Sequence, residues 1–182
     1  MSSKYQGAQG AVDRVISQTV IAVIGAGDCD PATAALAEDL GGQLARYGMT
    51  VICGGLGGVM AAVCRGAKAA GGQTIGILPG TEAAAANSWV DIAIVTGMGE
   101  ARNIILVRIA QAVIAVGGEY GTLSEIAFAL KLRVPLIGLQ TWELARHNQI
   151  IKVFPQAQTP VEAVQWVLKQ LPSYQSSSKT NV

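Results

Sequence analysis

Apolar residues along this chain gather into short β-branched runs, separated by longer stretches of helical periodicity. Thr19–Ile24, Thr50–Cys53, Thr74–Leu78, Asp91–Val95, Ala112–Val116 and Pro135–Leu139 are nearly continuous apolar runs of strand length. Such runs predict strands buried on both faces, as in a parallel sheet. Between them, Pro31–Tyr47, Gly58–Ala70, Glu100–Ala110 and Thr122–Leu132 read as helices. Strand and helix in alternation predict an α/β fold: one doubly wound (Rossmann-like) parallel sheet flanked by helices. Ligands of such sheets sit beyond the carboxyl ends of the strands.

Local signals sharpen the helix ends. Asp30-Pro31 supplies an N-cap followed by proline at the first helical position. Thr159-Pro160-Val161-Glu162 repeats the pattern with a capping-box glutamate and opens a final helix, with Val161, Val164, Leu168 and Leu171 on one face. Residues 1–17 are small and polar without a clear period, and 173–182 form a polar low-complexity tail. Both are expected to be flexible, leaving 18–172 as a single ligand-binding domain. Gly80–Ser88 follows a strand on the ligand side and reads either as a lid or as an ordinary surface loop.

Three glycine-containing turns follow predicted strands on the same edge of the sheet. They are Gly25-Ala26-Gly27-Asp28, Gly54-Gly55-Leu56-Gly57-Gly58, and Gly117-Gly118-Glu119-Tyr120-Gly121-Thr122. A glycine turn admits a ligand close to backbone N–H groups, and the helix N-terminus behind it carries partial positive charge, so the pair suits an oxyanion. The first turn has Asp30 where a dinucleotide fingerprint needs its third glycine, which disfavours NAD. None contains Gly-Lys-Ser/Thr, which disfavours a P-loop NTPase. Convergence of the three favours a bound anionic small molecule over glycines that serve packing alone.

Arg102 falls near the start of the Glu100–Ala110 helix, within reach of the same pocket, where it would supply a forked cation. The alternative is a salt-bridge arginine at a surface or interface. Arg108, six residues on, lies on another face and reads as structural. Glu125 closes Thr122-Leu123-Ser124-Glu125, a capping-box sequence, and equally suits an acid/base or ribose-binding role in the pocket. Cys29 and Cys53 sit at strand ends facing the pocket, with burial in the core favoured over metal ligation. His147 stands alone in a polar turn, and no His/Cys metal spacing or Ser-His-Asp arrangement is visible, so no protein-ligated metal is expected. Ile104-Ile105-Leu106-Val107 covers nearly the whole circumference of its helix and demands burial on more than one side. A homo-oligomer, dimer or tetramer, follows.

Composition narrows the classes. The 182 residues suit one domain with a substantial core; 51% are hydrophobic and only 14% charged. A net charge of +1 gives no electrostatic reason for a nucleic-acid partner. Three cysteines without a CxxC pair fit a reducing cytoplasm rather than a disulfide framework. No apolar stretch reaches membrane-spanning length, and the N-terminus lacks a charged-then-apolar signal pattern.

From about Val20 to Leu139 the chain resembles the superfamily that contains the Lonely Guy-type phosphoribohydrolases, often misnamed lysine decarboxylases, and the molybdenum cofactor carrier proteins. The matching elements are Gly54-Gly55-Leu56-Gly57-Gly58-Val59-Met60, Arg102 and Gly121-Thr122-Leu123-Ser124-Glu125. In the hydrolases the signature is PGGxGTxxE with an arginine-lysine pair on the preceding helix. The resemblance implies that Arg102 and Glu125 would be the catalytic residues of such an enzyme, which cleaves the base from a nucleoside 5′-monophosphate.

Here Glu119 replaces a glycine of that signature and Asn103 replaces the lysine. A carboxylate there repels phosphate by roughly 1 kcal/mol at 4 Å in water. Thr96-Gly97-Met98-Gly99-Glu100-Ala101-Arg102-Asn103 and the Gly-Gly-x-Tyr-Gly-Thr form are more similar to the carrier branch. The resemblance thus implies molybdenum cofactor bound as cargo, with molybdoenzymes as possible recipients. It places the ligand on Gly25, Gly27, Gly54, Gly55, Gly57, Gly58, Met60, Arg102, Asn103, Gly117, Gly118, Glu119, Tyr120, Gly121 and Thr122. A phosphoribohydrolase and a non-catalytic nucleotide-binding module remain the alternatives.

Overall fold

The computed structural model describes residues 19–171. The expected flexible segment 1–17 and tail 173–182 lie outside these residues. Seven parallel-paired strands form one sheet, in the order β4-β3-β2-β1-β5-β6-β9. They are β1 (Val20–Gly25), β2 (Thr50–Cys53), β3 (Thr74–Leu78), β4 (Ile92–Val95), β5 (Ala112–Val116), β6 (Leu136–Leu139) and β9 (Gln156–Ala157). Strands β7 (Leu144–Arg146) and β8 (Gln149–Ile151) make a separate antiparallel hairpin. Among the described residues the five α-helices are α1 (Pro31–Arg46), α2 (Gly58–Ala69), α3 (Asn103–Ile109), α4 (Tyr120–Leu132) and α5 (Pro160–Gln170). None is long and apolar enough to cross a membrane.

The strand runs behave as their apolar character requires: β2 and β5 are buried along their whole length. Side chains alternate between two cores. Ile21, Val23, Val51 and Cys53 face α1, α2 and α5, while Ala22, Ile24, Ile52 and Ile77 share the opposite face with α3 and α4. Asp30 caps α1 by accepting from the Thr33 N–H at 2.7 Å, and Thr159 caps α5 by accepting from the Glu162 N–H at 3.2 Å.

Two expectations are corrected, and one stretch carries strands that were not expected. The helix expected over Glu100–Ala110 begins as a 3₁₀ turn, Gly99–Arg102, before α3. Helix α4 starts at Tyr120, so its N-cap is Glu119 and Thr122 is already inside the helix; Thr122–Glu125 is therefore no capping box. Residues 144–157 carry β7, β8 and the short edge strand β9, which no apolar run signalled. The lone His147 falls with Asn148 in the β7–β8 turn, both with positive φ.

The burial demanded by Ile104–Val107 is met only in part. Leu106 and Val107 are buried, whereas Ile104 and Ile105 are only partly so. The edge strand β4 is exposed along most of its length. Ile92 and Ile94, registered against Ile75 and Ile77, are 45% and 43% exposed.

Candidate functional site

The chain runs outward from β1 through β2 and β3 to β4, then returns to lay β5 on the other side of β1. That reversal opens a crevice at the carboxyl ends of β1 and β5. Gly25 is registered against Val116, so the first and third glycine turns leave the sheet side by side. The second turn interlocks with the first: the Val59 N–H donates to the Ala26 carbonyl at 3.1 Å. Gly58 has φ +56°, and a side chain there would run into the first turn's backbone.

A pocket of about 280 Å³ fills the crevice. Small-molecule sites span roughly 300–1,000 Å³, so it suits one end of a cofactor-sized ligand. Of the residues expected from sequence it gathers Gly25, Gly27, Gly54, Met60, Arg102, Asn103, Glu119, Gly121, Thr122 and Glu125.

The remaining expected residues lie outside its lining. The Gly55 carbonyl accepts from the Asn87 N–H at 2.8 Å, and Gly57 is the N-cap of α2. Gly58 makes the close approach just described. The Gly117 carbonyl accepts from the Thr141 hydroxyl, and Gly118 backs onto the Thr122 side chain. Tyr120 is 82% exposed, its ring centroid 6.0 Å from that of Trp142.

Arg102 is the centre of the pocket. The 3₁₀ turn before α3 carries it inward until it is only 6% exposed, and its Nε and Nη1 have no hydrogen-bond partner. A buried, unpaired guanidinium is expensive, so this cation is set for an anion. Helix α4 brings Glu125, also 6% exposed, into the same pocket. Burial pushes its carboxyl up to about 8 against the lowering influence of Arg102, with Glu100 adding to the rise. Asn103 donates from Nδ2 to Ser124 Oγ at 3.1 Å, and Ser124 in turn donates to the Gly121 carbonyl at 2.7 Å. This chain of bonds ties α3 to the start of α4.

Two features escaped sequence reasoning. Glu100 joins the lining with Ala26 and Leu56; it lies two residues before Arg102, on a turn whose 3₁₀ form no periodicity revealed. Asn87 ends the 80–88 loop by gripping the second glycine turn, donating from Nδ2 to the Leu56 carbonyl at 2.9 Å as well as from its N–H. That end of the loop is anchored to the site. Cys53 is buried in the core rather than at the pocket surface. Among the described residues no cluster of His, Cys, Asp or Glu is arranged to hold a metal ion.

An open parallel α/β sheet with a pocket at its switch point, lined by a buried arginine and glycine turns, defines the class. The model of the SLOG cluster4 family matches residues 18–169, and the chain belongs to that family. The molybdenum cofactor binding protein of Rippkaea orientalis is 38% identical in sequence and superimposes with a TM-score of 0.76, covering 84% of this chain and 96% of that one. The molybdenum cofactor carrier protein of Chlamydomonas reinhardtii is 32% identical with a TM-score of 0.73, covering 84% and 98% respectively. An uncharacterized protein of Archaeoglobus fulgidus is 51% identical over 111 residues, 61% of this chain and 73% of that protein.

Proposed function

We propose that this protein binds molybdenum cofactor as cargo and holds and shields it in the cytoplasm for delivery to molybdoenzymes. The observation that carries this reading is Arg102, buried with two unpartnered nitrogens in a pocket walled by glycine turns. An oxyanion end of the cofactor satisfies that guanidinium, with the N-termini of α2 and α4 adding partial positive charge. The metal is then held by its own cofactor, and the chain need supply no ligand to it. The pocket accommodates the anionic end, and the rest of the molecule extends across the mouth. Likeness to the Rippkaea and Chlamydomonas proteins supports the choice of cargo.

Holding is favoured over cleaving by two residues. Glu119 brings a carboxylate to the pocket wall, where it opposes a second anionic group on the ligand. Asn103 spends its amide on Ser124 instead of offering a charge to phosphate. A hydrolase reading has one observation in its favour: Arg102 and Glu125 are both buried in one pocket, the pair that N-glycosidic cleavage of a nucleoside monophosphate would use.

The experiment is direct. Purified protein incubated with molybdenum cofactor should retain it, seen as molybdenum by metal analysis and pterin by mass spectrometry, while AMP should come back intact. No retained cofactor at micromolar protein would defeat the carrier reading. Release of adenine, abolished by Arg102→Ala, would replace it with the hydrolase. The exposed edge strand at Ile92 and Ile94 supports a homo-oligomer, with a second copy as its cover.

A further inference from the structure

Beneath the second glycine turn lie two thiols that the anion pocket does not use. Cys53 is the last residue of β2 and Cys64 stands in the second turn of α2; both are fully buried, with Sγ atoms 3.5 Å apart. Cys53 also organises the turn. Its sulfur accepts from the Gly55 N–H at 3.4 Å and reaches the Met60 carbonyl at 3.9 Å. The next residue, Gly54, lines the pocket, and its Cα lies against both the Arg102 guanidinium and the Met60 sulfur. One residue thus separates the thiol pair from the pocket wall.

We infer that Cys53 and Cys64 are an oxidisable dithiol, converted by peroxide to an intramolecular disulfide that loosens the grip of the second glycine turn on its anion. The Cys53 sulfur attacks one peroxide oxygen, the O–O bond breaks, and one water leaves as Cys53 becomes a sulfenic acid. The Cys64 sulfur then attacks the Cys53 sulfur; the S–O bond breaks and hydroxide departs with the Cys64 proton as a second water. Two thiols are oxidised by two electrons in all, and one peroxide is reduced to two waters. Cys53 suits the first step because it adjoins Gly54 of the pocket wall and its sulfur accepts from the Gly55 N–H, a bond that favours the thiolate.

Closure has a structural consequence. An S–S bond is about 2.0 Å, so the sulfurs must approach by roughly 1.5 Å in a close-packed interior. Strand β2 is fixed between β1 and β3, Cys53 being registered against Gly76. Helix α2 and the turn that leads into it therefore move, and the Gly55 N–H loses its thiol acceptor. The effect on anion binding rests on the pocket reading above; formation of the disulfide does not.

The test uses the reduced full-length protein, hydrogen peroxide as oxidant and inorganic pyrophosphate as the probe anion. Intact mass should fall by about 2 Da, with peptide mapping linking Cys53 to Cys64, and dithiothreitol should reverse it. Cys29→Ser should behave like the wild type, whereas Cys64→Ala should not lose the 2 Da. Calorimetry should show pyrophosphate binding at least about five-fold weaker after oxidation, about 1 kcal/mol, and restored by reduction. A linkage through Cys29, or no loss of mass, overturns the inference. So does a Cys53–Cys64 disulfide that leaves pyrophosphate affinity unchanged. If the reduced protein binds no pyrophosphate at all, the pocket reading fails and the switch with it, while the mass measurement still reports on the disulfide.

Discussion

The guanidinium of Arg102 packs against Gly54: a methyl group built at that glycine would sit 2.5 Å from Nη1 and 2.6 Å from Nη2. The contact explains why a long cationic side chain can be buried at the carboxyl end of a parallel sheet. Any side chain at residue 54 would occupy the space that the charge requires. It also leaves the guanidinium edge without a protein partner, which is what a ligand-binding charge needs.

Replacing Arg102 with methionine keeps much of the volume and removes the charge. Loss of a buried charge-assisted contact costs on the order of 2–5 kcal/mol, so anion affinity should fall about 30-fold or more. Stability should stay level or rise, because an uncompensated buried charge has gone. Pyrophosphate calorimetry and thermal unfolding, run side by side, separate the two effects. A marked loss of stability would show that Arg102 is structural.

Gly54→Ala tests the contact from the other side. The new methyl meets the Arg102 nitrogens and the Met60 sulfur, which are the ends of flexible side chains. The protein should fold, at a cost of about 1–3 kcal/mol, with the guanidinium displaced and anion affinity reduced roughly ten-fold. Unchanged affinity would argue that the anion binds elsewhere in the crevice.

Glu125 should make stability depend on pH. Its carboxyl is held up at about 8, above the ordinary 4.5, so between those values it is protonated in the folded protein and ionised once unfolded. Its contribution is complete below about pH 4.5 and is lost as pH rises through about 8. Glu125→Gln should therefore be more stable than the wild type at pH 9, by on the order of a few kcal/mol, and close to it at pH 5. Equal melting temperatures at pH 9 would contradict the burial of this carboxyl.

The exposed edge strand β4 predicts assembly. Placing a charge at Ile94 by substitution with aspartate should shift the protein towards monomer in light scattering, with its circular dichroism unchanged. A wild type that is already monomeric at micromolar concentration would remove the basis for that expectation.

The sequence by itself determined the architecture of the central sheet and the edge at which its glycine turns gather. Runs such as Ala112–Val116, short, β-branched and ended by glycine, fit a strand buried on both faces, and glycines after three strands mark one edge. What it left open depended on contacts between residues distant in the chain. Thr122–Glu125 matches a capping box in pattern, but the helix begins at Tyr120 because Glu119 leaves the third turn in extended conformation, so Glu125 turns into the pocket. Strand β9 has two residues and little apolar signal; it exists because β6 offers it an edge, with Gly138 and Leu139 as partners. The pairing of Cys53 with Cys64 and the grip of Asn87 on the second glycine turn likewise required β2, α2 and the 80–88 loop to be packed together. Periodicity reports which face of an element is buried, whereas the partner on that face is set by the three-dimensional packing of the whole chain.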